Sequence, residues 1–173
     1  MPSYEHPGGR FEPDFVLSER DMMLGWLKFH RDTAIYKLEG LSDEDAHRRV
    51  VPTSELTPVG IVNHLAYVEW GWFRAVFAGE PEATIWAESG DDDIEFKTTA
   101  PVADAVAFYR EQIARADEII AGASFDDLAV FKRDSWPEHP SMRWIVSHML
   151  EETARHNGHM DLLREMIDGS IGP

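Results

Sequence analysis

The sequence predicts an all-α protein, an antiparallel four-helix bundle. Four segments of about 20 residues repeat apolar residues at helical spacing. Each segment carries a start or stop signal at its ends. No stretch alternates as a half-buried strand would, and neither an internal repeat nor a low-complexity segment interrupts the pattern. A chain of 173 residues with 43% apolar content is long enough for one core, so residues 1–173 read as a single domain.

In chain order, residues 1 to about 14 are rich in Pro and Gly and read as a surface arm. The first helix starts at Ser18, an N-cap with Asp21 three residues on, and stops at Gly40. Met22, Trp26, Phe29, Thr33 and Tyr36 recur at helical spacing as its inner face, with His30 at the edge as a structural or pocket-lining group. Leu41–Val50 reads as a short helical turn leading to Pro52. The second helix has Thr57 as N-cap, Pro58 at its first position and Gly79 after its last turn. Ile61, His64, Val68, Trp72 and Ala75 share one of its faces.

Residues 80–99 hold Pro81, Trp86, Gly90 and the run Asp91-Asp92-Asp93. The acidic run lacks calcium-loop spacing and reads as a solvated loop, of a length that often borders a site. The third helix spans about Pro101 to Ala121, capped near Thr99, with Val102, Ala105, Val106, Tyr109, Ile113, Ala116 and Ile120 inward. A second long connection, Ala123 to Pro140, carries Phe125, Phe131, Trp136 and His139. Ser141 caps the fourth helix, which runs to Asp168 and stops at Gly169. Gly158, inside it at a cost of about 1 kcal/mol, would let a neighbouring helix or a ligand come close.

Charge and residue usage exclude several functions. A net charge of −16, from 32 acidic against 16 basic residues, argues against nucleic acid and anionic membranes as partners. No apolar run reaches spanning length, and the N-terminus lacks the basic start and apolar core of a signal peptide, so the expectation is a cytoplasmic protein. With no cysteine, disulfides, thiolate metal sites and a protein thiol nucleophile are excluded.

The chemistry concentrates in the fourth helix. His148, Glu152, His156 and His159 fall within roughly 80° of arc, on the stripe shared by Ile145, Met149 and Leu163. Polar groups on a core-facing stripe need a metal ion, an ion-pair network or a water-filled cleft to satisfy them. Glu152 and His156 stand four apart and can face one ion. His64 is the third inward-facing candidate, and a bundle that brings the second and fourth helices together yields a two-histidine, one-carboxylate set. A hydrogen-bonded core histidine is the plainer alternative at each position. Three ligands would leave a position open for a thiol or for water. Zinc suits such a set, and nickel, manganese and iron(II) stay open. Trp72, Trp86, Trp136 and Trp144 are candidates for the walls of an apolar pocket, with Trp72 and Trp136 taken as substrate contacts.

The stretches Ile61-Val-Asn-His-Leu-Ala-Tyr-Val-Glu69, Glu152-x3-His156-Asn-Gly-His159 and Leu162-Leu-Arg-Glu165 resemble the DinB superfamily of four-helix-bundle metal proteins, from about the first helix to the chain's end. That superfamily includes mycothiol- and bacillithiol-dependent S-transferases and a mycothiol-dependent maleylpyruvate isomerase. The resemblance implies metal ligands at His64, Glu152 and His156, with Glu152 replacing the His of many relatives. His159 stands where relatives carry Gln, which leaves open a fourth ligand, a group that orients a ligand or accepts the thiol proton, or a substrate contact; it is the candidate catalytic residue. His148 matches no family ligand.

The implied activity is transfer of a low-molecular-weight thiol such as mycothiol to an electrophilic small molecule, with a divalent metal, zinc first, as cofactor. A metal-dependent hydrolase or isomerase on the same bundle is the alternative, followed by a non-enzymatic, stress-linked metal-binding protein. The implied partners are a small-molecule thiol and its electrophile, and a homodimer stays open.

Overall fold

Side-chain caps set most helix starts in the computed structural model of the chain, which describes residues 4–80 and 96–172. The elements are β1 (Glu5–His6), β2 (Arg10–Phe11), α1 (Glu19–Tyr36), α2 (Asp43–Ala46), α3 (Pro58–Glu69) with a π-helical continuation (Trp70–Phe77), α4 (Val102–Ala121) and α5 (Met142–Asp168). Ser18, Thr57 and Ser141 each accept a backbone N–H from the third residue on, satisfying a donor that helix geometry leaves free. Gly169, in the left-handed region, closes α5 where the sequence places its end. The expectations for Trp86 and Asp91-Asp92-Asp93 lie outside the described residues.

Two ends differ from expectation. α1 finishes at Tyr36 rather than Gly40, because Leu38 and Glu39 donate to Ile35 and Tyr36 and tighten the last turn to i→i+3 bonds. α4 is capped at Pro101, not Thr99, and no side chain of its own caps it. Asp43 Oδ1 instead accepts the Val102 N–H at 2.8 Å, a partner 59 residues away in sequence.

Cross-helix contacts give the directions. α1 and α5 run parallel, with Glu19 paired to Arg143 near one end and Lys37 to Asp161 near the other. α3 and α5 run antiparallel, His64 opposite Glu152 and Trp72 opposite Trp144, so the expected contact between the second and fourth long helices is present. α3 and α4 run parallel, Tyr67 against Phe108 and Arg74 against Gln112, a step that needs the long connection between them.

The interior is two apolar clusters with a polar layer between. Leu27, Val68, Phe73, Ala116, Ile145 and Met149 belong to one, and Ala34, Ile61, Leu65, Tyr109, Met160 and Leu163 to the other. Between them lie Arg31, Glu69, Gln112, Thr153, His64 and His156, all buried. Arg31 Nε and Nη2 each donate to a Glu69 oxygen at 2.6 Å, and Nη1 donates to Asp117 at 2.8 Å. A buried carboxylate is tolerable only with such a partner.

The stripe expected to be α1's core face has another neighbour. Leu27 and Ala34 point into the bundle, whereas Phe29, Thr33 and Tyr36 meet the N-terminal hairpin. Arg10 there is buried, donates to Thr33 Oγ1 at 2.7 Å and lies 4.1 Å over the Tyr36 ring. The expected surface arm is thus packed onto α1.

After Glu69 the second long helix widens to i→i+5 bonding, with Ala78 N–H donating to Phe73 O. Its last carbonyls are taken by the 123–140 connection, Phe131 N–H to Val76 O and Val130 N–H to Phe77 O. Gly79 has φ +67°, and a Cβ there would lie 2.7 Å from Val130 Cγ1, so this close approach needs glycine.

Candidate metal centre

The polar layer opens to a cavity at the His64–Glu152 end. His64 Nε2 and His156 Nε2 each stand 3.1 Å from Glu152 Oε1. One ligand atom from each of these residues falls within 4.8 Å of the others, a buried cluster capable of coordinating a divalent metal. Hydrogen bonds from His156 and then His64 hold the Glu152 carboxyl well below the usual carboxylate range, so the cluster carries a negative charge for a cation to meet. Two imidazoles and one carboxylate suit zinc and its divalent neighbours alike.

Several contacts hold the cluster in place. Phe96 stacks on His64 at 4.0 Å between ring centroids, 16° from parallel. Its backbone comes this close because Gly60, one turn before His64, has no Cβ; one there would lie 2.4 Å from Phe96 O. On α5, Asn157 donates to His30 O at 2.9 Å, tying the cluster's helix to α1. His30 is therefore a half-buried structural group beside Trp26, away from the cluster, and burial pushes its imidazole below the ordinary histidine value.

His159 lies behind His156, outside the His64–Glu152–His156 cluster. Its Nδ1 is 3.3 Å from His156 Nδ1, so the two nitrogens of His156 face different groups. Burial, assisted by His156, pushes the His159 imidazole below its ordinary value and keeps it neutral near pH 7. A Cβ at Gly158 would meet nothing within 4 Å among the described residues, so no described helix makes the close approach expected there.

The cavity beside the cluster has a volume of about 860 Å³. Trp72 and Trp136 both line it, as do Trp144 and His148. Trp72 stacks on Trp136 at 5.5 Å and 10°. The 123–140 connection supplies one side through Leu128, Arg133 and His139, whose Nδ1 donates to Ala129 O at 2.8 Å. Phe96, Leu128 and Arg133 carry no periodic signal and escape sequence reasoning; aromatics within a long loop were the one hint of such a wall. The π-helical turn that presents Trp72 left no mark in composition either.

Among the described residues no helix is long and apolar enough to cross a membrane. Residues 22–169 match the family model described as MST: Mycothiol-S-transferase. No curated protein matches the sequence.

Proposed function

The chain belongs to the mycothiol-S-transferase family, and from that premise we propose that it joins mycothiol, or a thiol like it, to an electrophilic small molecule. The cofactor in this reading is zinc, held by His64, Glu152 and His156. One observation carries it: a His–Glu–His cluster at the edge of an open cavity, in a chain with no cysteine of its own. The nucleophilic sulfur then has to arrive as a co-substrate. When bound, the ion supplies a Lewis acid that favours the deprotonated thiol.

The chain's own groups do the rest. His64 and Glu152 line the cavity while His156 lies behind them, which leaves the cluster's open side towards the substrates. With His156 Nε2 engaged as a ligand, its ring proton sits on Nδ1 and is donated to His159 Nδ1. His159, neutral and half-buried, thereby fixes the His156 tautomer and ring plane, a positioning role. Trp72 and Trp136 exclude water from one side and offer flat apolar surface to substrate.

The test is metal analysis of the purified protein together with a mycothiol-conjugation assay against an electrophile panel, before and after chelation. Conjugation that needs the metal is the expected result. A metal-loaded protein that conjugates nothing yet hydrolyses amides or esters would replace the transferase reading with the hydrolase.

A further inference from the structure

The walls of the cavity carry information about the electrophile. We infer that the acceptor substrate is an uncharged planar arene, such as a nitro-activated aryl halide, held against Trp144, Trp72 and His148 beside Glu152. This rests on the transferase reading above.

Three features point to it. Trp144 and His148 stack at 5.1 Å and 24°, and Trp72 meets Trp144 at 5.1 Å and His148 at 4.9 Å. Trp144 nonetheless stays 49% exposed, so much of the indole is free to take another ring. Aromatic pairs gain roughly two- to tenfold in affinity beyond area burial, a gain unavailable to an aliphatic electrophile.

Reach is the second feature. His148 precedes Glu152 by one turn, about 6 Å along the helix axis. A single ring on this wall therefore spans to the His64–Glu152–His156 cluster, and reacting atoms must come within about 3–3.5 Å.

Charge is the third. Among the described lining residues Arg133 is the single Lys or Arg, and its guanidinium packs over the Trp136 ring at 5.5 Å. Glu138 and Glu152 line the same cavity, on a chain of net charge −16. A divalent ion at the cluster would be offset by the Glu152 carboxylate and by the thiolate it favours, which leaves an anionic electrophile Arg133 set against Glu138. In the reaction the thiol sulfur forms a C–S bond to the ring carbon bearing halogen. The halide leaves with the electron pair of the broken bond, the thiol proton passes to solvent, and nothing is oxidised or reduced.

Binding can be read without turnover. Calorimetric titration of the whole protein would use 2,4-dinitrotoluene, uncharged and without a leaving group, against 2,4-dinitrobenzoate and cyclohexanone. Dinitrotoluene should bind at least roughly tenfold more tightly than either. Trp144→Ala should weaken it roughly two- to tenfold, and Trp144→Phe should recover most of the loss. Trp144 is half-exposed, and circular dichroism on both variants checks that the fold is kept. Equal affinity for cyclohexanone or dinitrobenzoate, or no effect of Trp144→Ala, overturns the inference.

Conjugation separates the two readings. Reaction of mycothiol with iodoacetamide but not 1-chloro-2,4-dinitrobenzene overturns the arene inference and leaves the transferase standing. Normal arene binding with no conjugation of either reagent supports the arene site and overturns the transferase.

Discussion

Replacing His64 by Ala removes the one cluster member that comes from α3, leaving Glu152 and His156 four apart on α5. With His64 present the ion would tie two helices together, so binding favours the folded state over a chain that holds no such site. Such a ligand stabilises by RT ln(1 + [L]/Kd), about 2.7 kcal/mol at a free concentration 100 times Kd. For a chain of this size 1 kcal/mol moves Tm by about 2–4 °C, so zinc should raise the wild-type Tm by roughly 5–11 °C. If losing His64 weakens affinity by about 100-fold, the same zinc contributes about 0.4 kcal/mol, a shift of roughly 1–2 °C. Metal-free His64→Ala loses its Glu152 contact and the Phe96 stack, a separate cost of about 1–2 kcal/mol that lowers the starting Tm. Thermal melts with and without zinc therefore have to be compared within each variant. A zinc-induced shift in His64→Ala equal to the wild type's would refute the placement of His64 in the metal site.

Two further outcomes follow from contacts in the polar layer. His159→Gln keeps a group able to accept from His156 and should retain stoichiometric metal, whereas His159→Ala should weaken affinity roughly 10–100-fold, read by competition with a chromogenic chelator. Complete loss of metal from the Gln variant would make His159 a direct ligand. Arg31→Met strips the bidentate partner from Glu69, whose side chain is 0% exposed, and should cost about 3–5 kcal/mol in denaturant unfolding. Burial already pushes the Glu69 carboxyl upward, and without Arg31 the folded state keeps a proton that the unfolded chain releases above about pH 4.3. The variant's stability should then fall as pH rises, by at most about 1.4 kcal/mol per unit, making its deficit larger at pH 7.5 than at pH 5.5. Arg31→Met combined with Glu69→Met should recover most of the loss at both values; an equal deficit at the two pH values would contradict this account of the pair.

Local signals in the chain determined a good deal. Ser18, Thr57 and Ser141 cap helices, and Gly169 ends one, because these residues satisfy free backbone groups or adopt a left-handed conformation without help from distant sequence. The i,i+4 placement of Glu152 and His156 was equally local, and His64 was legible as an inward histidine on another helix. The residues around His64 and His156 carried the resemblance to the DinB superfamily, and residues 22–169 match the mycothiol-S-transferase model.

Only tertiary structure decided the rest. The face of α1 bearing Phe29, Thr33 and Tyr36 is apolar in sequence, but whether a hairpin or the bundle covers it depends on where residues 4–14 come to rest. Asp43 caps α4 from 59 residues away, and Phe96 reaches His64 because Gly60 lets a loop backbone approach. The widening of the second long helix at Trp70 is stabilised by Val130 and Phe131 donating to its last carbonyls, an interaction no local propensity encodes. Spacing along a helix sets which side chains share a face, because the 3.6-residue period is intrinsic to the backbone. Which neighbour meets that face, and hence which cavity the Trp72 and Trp144 rings line, is set by packing between segments distant in the chain.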